Sequence, residues 1–220
     1  MKRKLGLLLV LIALGLSVSA QQYKFPFGNE IQAFKHQDSL NFPKKGGIVF
    51  AGSSSIRLWD DLEQRFAQYP VTKRGVGGSK LREWLQYFMP YILYPYQPKK
   101  IFFYAGENDI ADGIPATEVA QDFAAMWQKI HDNLPNTQIY FLSIKQSPSR
   151  AKYYQEVTKA NQLIKKIIAG KPKTYFLDVN TPLWNSKTHQ PDSAYFKGDY
   201  LHLKPTGYDQ WQKVLKPYVK

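Results

Sequence analysis

Apolar positions along this chain follow two alternating rhythms. Short continuous apolar runs stand at Ile48-Val49-Phe50-Ala51, Ile101-Phe102-Phe103-Tyr104, Ile139-Tyr140-Phe141-Leu142-Ser143-Ile144 and Tyr175-Phe176-Leu177-Asp178-Val179, with a weaker one over Val71 to Val76. Runs this short, bounded by turn residues, predict buried strands. Between them Val119, Phe123, Met126 and Ile130 recur at spacings of four and three, one face of a helix with Pro115 in its first turn. Tyr153, Val157, Ala160, Ile164 and Ile167 repeat that pattern up to Gly170, a predicted C-cap. Tyr208, Trp211 and Leu215 mark a last helix, stopped near Pro217. Ahead of the first strand, Ile31, Phe34 and Leu40 mark a short helix, and Gln21 to Asn29 an aromatic, turn-rich arm. Strands that are apolar throughout and alternate with amphipathic helices predict an α/β domain, a five-stranded parallel sheet with helices on both faces. No repeat, low-complexity tract or linker interrupts the pattern, so one domain is expected.

The N-terminus departs from both rhythms. Lys2, Arg3 and Lys4 precede an uncharged stretch from Leu5 to Leu16, and Ser17-Val18-Ser19-Ala20 follows with small residues where a signal peptidase cuts. The apolar stretch is shorter than the roughly 20 residues a membrane span needs. Residues 1–20 are therefore expected to be a cleaved signal peptide and residues 21–220 the mature domain, exported to the periplasm or medium without stable membrane insertion. Losing the three leader cations takes the formal net charge from +13 to +10. The lysines lie in scattered pairs (Lys44-Lys45, Lys99-Lys100, Lys165-Lys166), not in a stripe, so no nucleic-acid partner is expected. A solvated basic surface that favours anionic envelopes or glycans fits better. The absence of Cys removes disulfides and thiolate metal sites.

Candidate chemistry gathers behind the strands, where open parallel sheets bind ligands. Gly52-Ser53-Ser54-Ser55 follows the first strand, Gly75-Val76-Gly77-Gly78-Ser79 the second, and Gly106-Glu107-Asn108-Asp109 the third. Asp199-Tyr200-Leu201-His202 comes after the fifth. A hydroxyl is a poor nucleophile until a base takes its proton; imidazole does so near neutrality, and a carboxylate fixes its tautomer. Asp and His three apart on a helical or turn-like segment share one face, so a short peptide supplies base and orienter together. Each segment alone has an ordinary explanation: a solvated loop for Gly52 to Ser55, a turn for Gly75 to Gly78, a hydrogen-bonded loop histidine for His202. Nucleotide loops are excluded, because position 80 is Lys where a dinucleotide fingerprint has its third Gly, and the P-loop spacing is missing. His36, His131 and His189 stand apart from other ligand types and are read as surface residues, with no metal expected.

Taken together, the four segments resemble the GDSL esterase/lipase family, or SGNH hydrolases, named for one Ser, Gly, Asn and His in four blocks. The blocks match Phe50 to Trp59, Arg74 to Ser79, Gly106 to Asp109, and Asp199 to Leu203 followed by Gly207-Tyr208, in the family's order and over most of the mature domain. The resemblance implies a three-layer α/β/α domain of flavodoxin-like topology. It also implies Ser54 as nucleophile, His202 as base and Asp199 as its orienting carboxylate. The oxyanion hole would be the backbone N–H groups of Ser54 and Gly78 and the side-chain amide of Asn108. No cofactor is implied. The chain departs from the family where Ser53 replaces the Asp before the nucleophile and Lys73 replaces the Asn that often opens the second block. Three consecutive serines leave the nucleophile's register open on physical grounds; alignment with the family selects Ser54. Glu107 and Asp109 are expected to shape the third loop by hydrogen bonding rather than by titrating. Arg57, Trp59, Arg82 and Trp84 are expected to line or brace the cleft, with core packing an equal expectation for the two Trp.

The function implied is an exported serine esterase that removes short acyl groups, acetyl foremost, from small esters or acetylated glycans. Two other functions share the fold: a short-chain lipid esterase or lysophospholipase, and a glycan-binding protein without catalysis. No long apolar lid segment favours the lipid substrate, and no broken catalytic position favours the silent protein. An α/β-hydrolase lipase or peptidase is excluded, since its Gly-x-Ser-x-Gly motif would need Gly where Ile56 stands.

Overall fold

A computed structural model describes residues 26–220. The expected signal peptide and residues 21–25 of the expected arm lie outside the described residues. Five strands, β1 (Ile48–Gly52), β2 (Val71–Gly75), β3 (Lys100–Tyr104), β4 (Gln138–Leu142) and β5 (Thr174–Leu177), form one sheet in the order β2-β1-β3-β4-β5. Every neighbouring pair is parallel. This is the flavodoxin-like order, and the direction of winding reverses between β1 and β3, where such sheets open a crevice at their carboxyl ends.

Helices cover both faces because each strand sends alternate side chains to opposite sides. Val49, Ala51, Ile101, Phe103, Ile139 and Phe141 join one core. It packs against α1 (Gly28–Leu40), α7 (Ala116–Asn133), α8 (Tyr154–Ala169) and a helical run that starts as α4 (Leu81–Glu83) and ends as α5 (Met89–Ile92). Between α4 and α5 the run widens into a π-helical turn, Trp84–Phe88, just before Pro90, which has no N–H to donate and whose ring crowds the preceding turn. Ile48, Phe50, Phe102, Tyr104, Tyr140 and Leu142 face the second core, under the short α2 (Ser54–Arg57) and α3 (Leu62–Arg65) and the C-terminal α9 (Pro205–Leu215). On this face four aromatic rings stack in register across the sheet: Phe50 on Phe102 at 4.6 Å, Phe102 on Tyr140 at 4.6 Å, and Tyr140 on Tyr175 at 4.8 Å. Each such pair contributes roughly 0.5–1.5 kcal/mol beyond the area it buries.

Several local expectations are corrected. The helix begins at Ala116 with Pro115 as its N-cap, and the first helix starts at Gly28, inside the expected arm, and ends on an exposed Leu40. Gly170 does cap α8, but at φ −97 it is not the left-handed cap its residue type suggests. β4 stops at Leu142, because Ser143 and Ile144 turn away: the Ser143 hydroxyl accepts the N–H groups of Val179 and Asn180, and Asn161 pairs with both backbone groups of Ile144. A two-residue hairpin, β6 (Trp184–Asn185) with β7 (Gln190–Pro191), is too short for any periodic signal. α6 (Glu107–Ala111) follows β3 directly. Among the described residues no helix is long and apolar enough to cross a membrane.

Candidate active site

Two glycines shape the tip of β1. Gly52 has φ +137, and a Cβ there would stand 1.9 Å from the carbonyl oxygen of Tyr104 on β3. Across β2, a Cβ on Gly75 would stand 2.2 Å from the backbone nitrogen of Arg57, so its absence lets α2 lie directly on the strand end. Between these contacts the chain turns from strand into α2. Ser53 donates its N–H to the Tyr104 carbonyl at 2.9 Å and is buried, as is Ser55, while Ser54 alone of the three serines keeps partial exposure. The tertiary structure thereby separates three residues that are chemically identical in the sequence.

The Ser54 hydroxyl lies 3.0 Å from Nε2 of His202, and Nδ1 of the same ring lies 2.6 Å from Oδ2 of Asp199. The other carboxylate oxygen accepts the backbone N–H groups of Leu201 at 2.9 Å and His202 at 3.0 Å. The Asp199 carboxylate thus closes a local turn and orients the imidazole at once. Tyr200 between them takes the left-handed conformation at φ +55. Burial pushes the Asp199 carboxyl up, but the hydrogen bonds from His202 and Leu201 outweigh it and hold the group down at about 2. Asp199 is therefore ionised across the neutral range and acts as a fixed negative charge beside the ring.

The other two segments leave β2 and β3, the strands on either side of β1. Gly78 has φ +76 on the exposed loop that leaves β2, with nothing within 4 Å of where a Cβ would stand. Asn108 lies in the first turn of α6 and donates from Nδ2 to the Ser79 carbonyl at 3.1 Å, joining the loops behind β2 and β3. The buried Trp84 donates its indole N–H to the Ser79 hydroxyl at 3.0 Å and so braces that loop from the core. Glu107 is buried and serves as the expected hydrogen-bond hub: it accepts from the Tyr104 hydroxyl at 2.8 Å, from the Ser147 hydroxyl at 3.1 Å and from the fully buried Lys145. Burial lowers the Lys145 ammonium from its ordinary value against the pull of Glu107. Asp109 departs from expectation. It accepts the N–H of Leu81 at 3.0 Å, but its second oxygen is buried without a partner, and burial raises the carboxyl to about 6. Asp109 shapes the loop and also titrates near neutrality.

Among the remaining expected residues, Trp59 and Trp84 are wholly buried core. Arg82 pairs with Glu118 and, at 3.3 Å, with Asp122 on the outer surface of α7. Arg57 lies against Gly77, beside the Gly78 loop: a Cβ on Gly77 would meet its Nε at 2.4 Å. His36 and His189 are exposed, and His131 stacks on Trp127 at 4.8 Å. The segment after β4 was not singled out in the sequence, yet it reaches the site. Arg150 donates to the Asn108 side-chain oxygen at 3.1 Å and to the Glu107 carbonyl at 3.0 Å. Ser149 donates both its N–H and its hydroxyl to the Tyr200 carbonyl, at 3.1 and 3.0 Å. The available signal was positional, a polar Ser-Pro-Ser-Arg cluster at the same sheet edge as the other four segments.

A hydroxyl, an imidazole and a carboxylate in one hydrogen-bonded line, at the carboxyl edge of a flavodoxin-like sheet, form the arrangement that nucleophilic ester hydrolysis uses. Residues 48–210 match the GDSL-like Lipase/Acylhydrolase family, and the chain belongs to that family of ester-hydrolysing enzymes. The human platelet-activating factor acetylhydrolase IB subunit alpha1 is 26% identical over 174 residues, which cover 75% of this chain and 71% of the relative. A GDSL-like lipase from Bacteroides thetaiotaomicron superposes with a TM-score of 0.71 at 18% identity, over 86% of this chain and 96% of that structure. An acetylxylan esterase from Geobacillus stearothermophilus gives 0.63 at 12% identity, over 80% and 95%. At these identities the two structures speak to the fold.

Proposed function

We propose that this protein is an exported serine esterase that hydrolyses short acyl esters, acetyl esters foremost. The observation that carries the proposal is the continuous line from Ser54 through His202 to Asp199, at 3.0 and 2.6 Å. In the first half-reaction Ser54 Oγ attacks the ester carbonyl while Nε2 of His202 takes its proton. The carbonyl oxygen becomes an oxyanion facing the N–H groups of Ser54 and Gly78 and the Asn108 amide. Collapse breaks the bond to the leaving alkoxide, which receives the proton from His202, and an acyl-Ser54 ester remains. A water then attacks that ester, gives its proton to the same nitrogen, and releases the carboxylic acid as the proton returns to Ser54. Asp199 stays ionised throughout and steadies the imidazolium.

The acetyl preference draws support from the names of two proteins this chain resembles, an acetylhydrolase and an acetylxylan esterase. Acetylated glycans suit a basic, exported enzyme. The leader from Lys2 to Ala20 supports export, with Gln21 as the mature N-terminus. The test is a panel of nitrophenyl esters of rising acyl length beside acetylated xylo-oligosaccharides and lysolipids. Highest kcat/KM on acetate and on the acetylated sugars is expected; highest turnover on long acyl chains would replace acetyl specificity with lipid specificity. Mass spectrometry of the periplasmic or culture fraction should find a chain beginning at Gln21, and an intact Met1 on active, membrane-extracted protein would contradict export by cleavage.

A further inference from the structure

We propose that Arg150 is a positioning residue of the oxyanion hole: its guanidinium fixes the orientation of the Asn108 amide and polarises it, and the turn that carries it ties that amide to the loop of Asp199 and His202. The inference rests on the esterase mechanism above.

An asparagine amide presents an acceptor at one end and donors at the other, and a flip exchanges them at little steric cost. In an oxyanion hole the flip is decisive, because only the NH2 end stabilises negative charge. Arg150 decides it. Its Nη2 donates to the side-chain oxygen of Asn108 at 3.1 Å. A flipped amide would set NH2 against a permanent cation, which has no acceptor to offer. The donor end is thereby turned to the Ser79 carbonyl at 3.1 Å, using one N–H and leaving the other for the substrate oxygen. A charged donor on the oxygen also draws electron density from the amide nitrogen and strengthens its remaining N–H. The Arg150 side chain is only 21% exposed, so solvent screens this effect incompletely.

Arg150 is itself held on several sides. Nη1 donates to the Glu107 carbonyl at 3.0 Å and lies 3.8 Å from the Glu107 carboxylate. That carboxylate is fixed by Tyr104, Ser147 and buried Lys145. The guanidinium thus spans two consecutive residues, a backbone carbonyl and a side-chain amide, which suits a planar fork and not the single point of a lysine. Its backbone breaks the surrounding 3-10 helix (Pro148–Tyr153) at φ −115, ψ 28. The preceding residue, Ser149, puts two hydrogen bonds on the carbonyl of Tyr200, the left-handed residue between Asp199 and His202. Two adjacent residues therefore hold both halves of the machinery in one register.

The test is steady-state hydrolysis of nitrophenyl acetate by the purified protein and its variants. Arg150→Met, which keeps the apolar stem, should lower kcat by about 10- to 100-fold, less than loss of the donor itself, and change KM by less than about threefold. Arg150→Lys should recover only part of the loss. In an Asn108→Ala background, Arg150→Met should lower kcat by less than about threefold further, because the group it orients is gone. Unchanged kcat in Arg150→Met, or a loss that multiplies in full onto Asn108→Ala, would overturn the proposal. So would a loss carried wholly by KM. If Arg150→Met lacks the native circular dichroism spectrum, Arg150→Lys alone and with Asn108→Ala makes the same comparison. Absence of turnover in the wild type would remove the esterase assignment and this inference with it, whereas an active wild type with an indifferent Arg150 removes the inference alone.

Discussion

The proposed nucleophile and its proposed base are held in opposite ways. Ser54 stands at the tip of the interior strand β1, between two buried serines, and the residues just before it bond to the segments on either side: Ser53 N–H to the Tyr104 carbonyl at 2.9 Å, and Val76 N–H to the Gly52 carbonyl at 2.7 Å. Its position is a property of the sheet. Asp199 and His202 sit in a largely exposed loop in which the Asp199 carboxylate builds the turn from inside. Among the described residues its ties to the rest of the fold include Ser149 on Tyr200, the bridge between the buried Phe196 and Leu203, and the Ser54 hydroxyl itself. A nucleophile must hold one spot against a carbonyl carbon, and a rigid strand end supplies that. The imidazole has to exchange a proton between two oxygens, and a short locally braced turn gives it the aim without a rigid frame.

The largest expected effect removes the rigid partner or its base. Ser54→Ala or His202→Ala should lower kcat on nitrophenyl acetate by about 10⁴-fold or more with native circular dichroism, whereas Ser53→Ala and Ser55→Ala should leave it within about tenfold. Fluorophosphonate labelling that survives Ser54→Ala and disappears in Ser53→Ala would move the nucleophile by one residue and undo the contrast between buried and accessible serines.

Asp199→Asn tests the locally braced side. The side-chain oxygen can still accept the N–H groups of Leu201 and His202, so the turn should survive. The new NH2 would face Nδ1 and favour the tautomer whose Nε2 carries a hydrogen and cannot accept from Ser54. Loss of kcat by up to roughly 10⁴-fold with unchanged melting temperature is expected. A loss below about tenfold would mean that the turn, not the charge, orients the ring.

Asn108→Ala should lower kcat by about 10²- to 10³-fold with KM nearly unchanged, the pattern of a donor that acts on the transition state. A normal kcat with a raised KM would place Asn108 in ground-state binding instead.

The smallest effect concerns stability. Asp109, raised to about 6 by burial, holds its proton more tightly folded than unfolded. Its contribution is therefore fully present below the ordinary carboxylate range and is lost as pH rises through about 6, a change on the order of 2–3 kcal/mol. About half of that change falls between about pH 5 and about pH 8, and Asp109→Asn stays neutral, so the melting temperature of the variant relative to wild type should rise by roughly 3–6 °C over that range. A constant difference over that range would mean that Asp109 does not titrate there.

Much of this was legible in one dimension. Continuous apolar strands alternating with amphipathic helices can be satisfied only by a sheet buried on both faces, so the five strands and the longer helices followed from the pattern. The turn of Asp199 and His202 is local: three residues of separation and one carboxylate suffice to build it. The hairpin over Trp184 to Pro191 and the end of β4 were not legible, because the first is too short for a period and the second is set by the Ser143 hydroxyl across the sheet.

What the sequence by itself determined is the inventory and its order: the strands, the segments behind them, and the residue types able to carry nucleophile, base, carboxylate and amide. Family order pointed to Ser54 among three serines, but the physical distinction between them is tertiary: Ser53 and Ser55 are buried, and Ser54 stays partly exposed within reach of His202. Tertiary structure also decided the raised carboxyl of Asp109, which depends on the desolvation made by segments distant in the chain. The place of Arg150 was decided in the same way. No spacing relates it to Asn108, 42 residues earlier, and only the parallel pairing of β3 with β4 puts the loops behind those two strands on one edge. Local chemistry is written in the chain, but hydrogen bonds between remote loops exist only once the sheet has set their distance.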